Sequence, residues 1–115
     1  MEALFKDIAD INGVQSITLI DMSGKISYEA TNAQLAGAKQ RYTNWKKLVD
    51  VLENTREADF VFDNGRVYLR RTDNGYLLVS MQSFASIAMV KLNCDIVLPQ
   101  LKTEKTKGLK SLFKR

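Results

Sequence analysis

The side chains able to do chemistry in this sequence are carboxylates, amines, guanidiniums and hydroxyls; there is no histidine, and Cys94 is the one cysteine. That excludes histidine-centred triads, histidine general bases and any thiolate or imidazole metal cluster of ordinary spacing. Asp7, Asp10, Asp21, Asp59, Asp63 and Asp73 show no spacing that pairs an acid with a base, and they read as capping, turn or surface charges. Ser23-Gly24-Lys25 has the look of a phosphate loop's end. The pattern G-x-x-x-x-G-K-[ST] would need glycine where Leu19 stands and a hydroxyl where Ile26 follows the lysine, so the segment reads as a turn. Arg66, Arg70 and Arg71 offer guanidinium forks for a phosphate or an acidic surface, or form a solvated strand face. Cys94 lies on an apolar helical stripe and reads as a small buried hydrophobe. The expectation is a protein that is not an enzyme, with no catalytic residue, no cofactor and no metal.

What remains is binding, and composition bounds the frame that could do it. The chain has 115 residues, 45% hydrophobic and 26% charged, with one proline and six glycines, which fits one soluble globular domain with a core of useful size. Charge is unevenly placed. Residues 102–115 hold Lys102, Lys105, Lys107, Lys110, Lys114 and Arg115 against Glu104, whereas the rest of the chain has eleven basic and twelve acidic residues. A fold that reads nucleic acid usually carries its positive charge as a surface patch, so nucleic acid is not an expected partner. A lone cysteine, no apolar run of roughly 20 residues, and a start without the basic and apolar regions of a secretory signal point to the cytoplasm.

The elements follow from periodicity. Leu4, Ile8 and Ile11, widened by Phe5, make an amphipathic helix closed by Asn12-Gly13. Val14 to Asp21 is β-rich, and Ser23-Gly24 turns the chain into a second strand, Lys25 to Ala30. Leu35, Ala38, Tyr42, Trp45, Val49 and Leu52 recur at helical spacing, placing a second helix over much of 34–54. Gly37 weakens its first turns, and Thr43 could cap a shorter version. Asp63-Asn64-Gly65 and Asp73-Asn74-Gly75 then lie between β-rich runs, where Asn-Gly suits the positive φ angles of tight hairpins. They give three antiparallel strands, of which the middle one alternates Arg66, Tyr68 and Arg70 against Val67 and Leu69 and should have one wetter face. Ile87, Val90, Cys94, Val97, Leu98 and Leu101 form a last helix, capped by Ser83 or Ser86, which Pro99 should kink or stop. The fold class is therefore α+β: a five-stranded antiparallel sheet with helices on both faces, in the order helix-strand-strand-helix-strand-strand-strand-helix.

This order, with Ile11-Asn12-Gly13-Val14, Leu19-Ile20-Asp21 before Ser23-Gly24, and Gly75-Tyr76-Leu77-Leu78-Val79 before an apolar helix, resembles the roadblock family of dynein light-chain-like proteins over about residues 1–101. Ser23 stands where relatives often show aspartate. Profilin-like, longin and PAS-type domains share parts of the layout. The resemblance implies a non-enzymatic dimer, with itself or with a second roadblock-like chain, whose second helix and third strand join two sheets. It also implies a scaffold or regulator of a small Ras-like GTPase, modulating GTP hydrolysis or localisation, or else a motor cargo adaptor. A PAS-like sensory or ligand-binding domain is the alternative.

Tyr42, Trp45, Val49 and Leu52 are then either ordinary core or the shared dimer interface, and Val61 lies on a strand edge that must be paired or protected. The tail, residues 102–115, is expected to be basic and disordered in water, since only about two turns could form. Within it Leu109, Leu112 and Phe113, among Lys107, Lys110, Lys114 and Arg115, make a short basic amphipathic segment suited to a peripheral membrane contact or an acidic partner.

Overall fold

Runs of β-branched and aromatic residues between turn-forming pairs build the sheet, and apolar stripes at helical spacing lay the helices on it. In the computed structural model, which describes residues 2–31, 45–53 and 55–113, with side chains over 3–31, 46–53 and 55–101, the elements are α1 (Glu2–Ala9), β1 (Val14–Asp21), β2 (Ile26–Thr31), α2 (Trp45–Leu52), β3 (Glu57–Phe62), β4 (Gly65–Arg71), β5 (Gly75–Met81) and α3 (Ile87–Phe113). The element order is the one the sequence predicts. Leu35, Gly37, Ala38, Tyr42 and Thr43, which bear on the start of the second helix, lie outside the described residues.

The strands form one antiparallel sheet in the order β2-β1-β5-β4-β3. β5 is central and pairs with both β1 and β4, which joins the N-terminal hairpin to the later meander. Strand alternation splits the core into two layers. Ile17, Leu19, Tyr68, Leu77, Val79 and Met81 face α1 and α3, meeting Phe5, Ile8, Val90, Cys94, Val97 and Leu101. Ile20, Leu69, Tyr76 and Leu78 face the other way, under Val49 and Leu52 of α2. The cluster beneath α1 and α3 is the larger core, and the α2 layer is the smaller one.

Three local expectations change. Both Asn-Gly pairs do sit at hairpins, but Gly65 and Gly75 open strands rather than turn centres, and neither has positive φ. Their glycines are needed for close approach: a Cβ on Gly65 would lie 2.8 Å from the Met81 carbonyl oxygen, and one on Gly75 would collide with the Ile20 carbonyl. The wetter face predicted for β4 is not wet at Tyr68, which is fully buried against α3. Finally, α3 crosses Pro99 and runs on to Phe113, so the proline does not stop the helix and the backbone of 102–113 is helical. Pro99 removes only one donor, and Val97 and Leu101, buried on either side of it, hold both halves of the helix to the same core. Residues beyond 101 then extend an existing helix and need no new nucleus.

Candidate functional site

The site begins with how α2 is fixed. Its start abuts the β1–β2 turn, where Gly24, at φ 87°, leaves room that a Cβ would take from the backbone of Lys46. Its end is pinned at Glu53, which has φ 36° and whose carbonyl accepts hydrogen bonds from the Tyr76 hydroxyl at 2.6 Å and from Arg71 Nη1 at 2.8 Å. Held at both ends, the helix presses Val49 and Leu52 onto its own sheet and turns Val51, 74% exposed, outward. Lys46 and Asp50 form an i,i+4 pair at 3.0 Å on the solvent side.

β3 is the outermost strand on this side among the described residues, and it is unusually apolar for an edge. Phe60, Val61 and Phe62 are 40%, 67% and 56% exposed. Pairing with β4 sets Phe60 opposite Val67 and Phe62 opposite Gly65, so both rings share the face that α2 covers; Val61, opposite Arg66, lies on the α3 face. Three consecutive large apolar side chains, exposed on both faces of a strand whose outer backbone groups face away from the sheet, are the features that native proteins avoid unless the edge is used.

The structure thus separates the predicted interface residues. Val49 and Leu52 lie within the subunit's own core, Val61 lies on the open edge, Trp45 opens α2 with its side chain outside the described set, and Tyr42 lies outside the described residues. Phe60, Phe62 and Val51 were not singled out from the sequence. The signal was there in Phe60-Val61-Phe62, since a strand apolar on both sides needs cover on both sides. Of the predicted tail contacts, Lys107, Leu109, Lys110, Leu112 and Phe113 lie on the helical extension, and Lys114 and Arg115 lie outside the described residues.

The three arginines of β4 are engaged internally. Arg66 holds Asp59 of β3 through two bonds, 3.1 and 2.9 Å. Arg70 donates to Asp95 of α3 and to the Tyr68 hydroxyl, which itself donates to Glu57 of β3. Lys91 of α3 lies 4.0 Å from Glu57 and 5.9 Å from the centre of the Tyr68 ring. Burial, then the bond to Glu57, hold the Tyr68 phenol protonated well above its ordinary range. These contacts rivet β3 and β4 to α3, so the edge strand is rigidly presented and the arginines do not form a free phosphate-binding face. Arg71, bonded to the Glu53 carbonyl, also lies over the Tyr76 ring at 6.0 Å.

Elsewhere, Asp21 accepts bonds from the Ser23 hydroxyl at 2.6 Å and from the backbone N–H groups of Ser23 and Lys25 at 2.9 and 3.0 Å, the turn that the sequence predicts there. Cys94 is buried, which pushes its thiol up to about 11. Among the described residues no group of three or more histidine, cysteine, aspartate or glutamate side chains is placed to hold a metal. No described helix is long and apolar enough to cross a membrane.

No protein-family model and no curated protein matches the chain. Solved structures do. The chain is similar to MglB of Myxococcus xanthus, with 16% identity, a TM-score of 0.67, and 96% of this chain and 84% of that one covered. It is similar to a Roadblock/LC7 domain from Streptomyces avermitilis, with 9% identity, a TM-score of 0.64, and 92% and 94% covered. It is also similar to the gliding protein MglB from Thermus thermophilus, with 12% identity, a TM-score of 0.60, and 84% and 80% covered. At these identities the likeness concerns the course of the chain alone.

Proposed function

From its roadblock-like fold as premise, we propose that this protein is a non-enzymatic scaffold that dimerises through α2 and the β3 edge and binds a small Ras-like GTPase in the cytoplasm. The observation that carries the reading is the apolar edge: Phe60, Val61 and Phe62 stand exposed on an outer strand, and α2, on one face of the same sheet, exposes Val51. Antiparallel pairing of two β3 strands would satisfy both rows of edge backbone groups, join the sheets into one, and cover the exposed rings. Trp45 and Tyr42 would add to the same seam from α2 and the segment before it. Val49 and Leu52 would support it from beneath. The second subunit is another copy or a second roadblock-like chain.

The GTPase rests on the resemblance, since many roadblock proteins are scaffolds or regulators of Ras-like GTPases. The gliding protein among the similar structures is consistent with a regulator, and no histidine or cysteine-based catalytic set competes with that reading. Size-exclusion chromatography with light scattering tests the dimer: a mass at least twice that of the chain is expected, halved by Phe60→Lys with unchanged circular dichroism. A wild-type monomer at micromolar concentration would end the dimer reading. Pull-down with small GTPases loaded with GDP or a GTP analogue tests the partner, and equal, background-level recovery in both states would end that part.

A further inference from the structure

On the opposite side of the molecule, α3 presents an exposed stripe, through Met89, Leu92 and Ile96, that itself bears no charge over four turns. Between Ile87 and Leu101 the helix has two charged residues, Lys91 and Asp95, and both lie on one flank of it, about half exposed and paired with Glu57 and Arg70 of the sheet. The solvent side carries Met89, Leu92 and Ile96, at i, i+3 and i+7 and each about half exposed, with Phe84 from the preceding turn two-thirds exposed. Its amides fold back on the helix itself: Asn93 donates to the Met89 carbonyl at 2.9 Å and Gln100 to that of Ile96 at 3.3 Å. Charge depletion around Met and aromatic side chains marks the centre of a protein interface, not an ordinary wet helix face.

The two ends of this face differ in sign. Beyond Phe84 it opens into a cleft of about 570 Å³ lined in part by Asp7, Asp10, Ile11 and Met89. Lys6 pairs with Asp10 at 2.7 Å, and Asp7 and Glu2 leave the α1 end net acidic. Beyond Leu101, α3 continues as a helix to Phe113 through a stretch whose sequence has four lysines and one glutamate. The face therefore runs acidic, neutral and apolar, then basic.

We propose that this face is an interface between two copies of the chain, with the α3 helices antiparallel across a twofold axis between Leu92 and Asn93. That placement sets Met89 of one copy against Ile96 of the other. At 1.5 Å per residue, the basic segment starts about 14 Å from the axis and so passes the partner's Phe84 and reaches its Asp7–Asp10 end. A parallel pairing would stack like charges at both ends. The interface is distinct from the α2–β3 seam, and with both in place two isologous contacts build an assembly larger than a dimer.

Sedimentation equilibrium of the full chain and two crosslinking variants decide it. The mass should fall twofold for Leu92→Glu, twofold for Phe60→Lys, and to one chain for both together; raising salt should weaken the α3 contact. Unchanged mass in Leu92→Glu overturns this proposal, whereas unchanged mass in Phe60→Lys overturns the α2–β3 reading and leaves this one standing. Mixing Met89→Cys and Ile96→Cys proteins under mild oxidation should give mainly the mixed 89–96 disulfide. Dominant 89–89 and 96–96 products, or none, would overturn the antiparallel packing.

Discussion

The Tyr76 hydroxyl reaches the Glu53 carbonyl at 2.6 Å, tying the end of α2 to the central strand beneath it. Arg71 shares that carbonyl, so Tyr76→Phe leaves an acceptor still satisfied and should cost about 0.5–1.5 kcal/mol. Glu53 has φ 36°, a conformation that suits glycine, and Glu53→Gly should therefore gain up to about 1 kcal/mol. Urea unfolding at fixed protein concentration reads both, and a stabilising Tyr76→Phe would show that the bond does not anchor the helix.

Neighbouring positions on α2 should separate folding from association. Leu52 is buried on Leu69, Tyr76 and Leu78, and Leu52→Ala should cost about 2–5 kcal/mol of stability. Val51 is three-quarters exposed, so Val51→Lys should alter monomer stability by no more than about 0.5 kcal/mol while weakening the dimer. Thermal melts over a hundredfold range of concentration distinguish them: Leu52→Ala lowers Tm at every concentration, Val51→Lys reduces the concentration dependence. Loss of fold in Val51→Lys would place that side chain in a core instead.

The exposed ring of Phe62 shares a face with Phe60 and sits where a second β3 would cross. An aromatic in such a seam contributes about 2 kcal/mol, and Phe62→Ala removes one from each subunit, so it should weaken self-association roughly 1,000-fold. A dilution series by analytical ultracentrifugation measures it, and an unchanged dissociation constant would move the interface elsewhere.

The architecture was legible because its signals are local. The stripes of α1 and α3, the β-rich runs and the Asn-Gly pairs each mark an element within a few residues, and Ser86 caps α3 through the Met89 N–H as its place before the helix implies. What was not legible depends on neighbours distant in sequence. Alternation in β4 could not show that α3 would carry Asp95 to Arg70 and bury Tyr68, nor could the glycine after each asparagine show that a carbonyl from another strand would occupy its Cβ space. For the same reason Val49 and Leu52 read equally well as core or seam. Only the sheet order, which leaves β3 outermost, separates them from Phe60 and Phe62.

Ser23 bears on pH. Its hydroxyl, then the Lys25 N–H, hold the Asp21 carboxyl below the ordinary 3.8, because both donate to the ionised form. A depressed carboxyl stabilises the fold above its unfolded value, and that contribution is lost as pH falls through the native value. In Ser23→Ala the Asp21 carboxyl should titrate at higher pH than in wild type, as followed by side-chain carboxyl NMR shifts. In Ser23→Asp it should rise further, since a second carboxylate replaces a donor. Identical titration in wild type and Ser23→Ala would mean that the hydroxyl bond does not persist in solution.

Cys94 gives a probe of the α3 face of the core without any substitution. The thiol lies buried between α3 and the sheet, and burial raises it from 9.0 to about 11, so at neutral pH it is both protonated and shielded. Labelling by a thiol reagent should be at least about 100-fold slower in the native protein than in urea, because it must wait for α3 to lift. A raised thiol binds its proton more tightly in the folded state. Its stabilising contribution is whole below the unfolded value of 9.0 and is lost as pH climbs towards about 11. If Cys94 reacts at the unfolded rate under native conditions, then α3 is not seated on β4 and β5, and the Arg70–Asp95 rivet that presents the β3 edge is not closed.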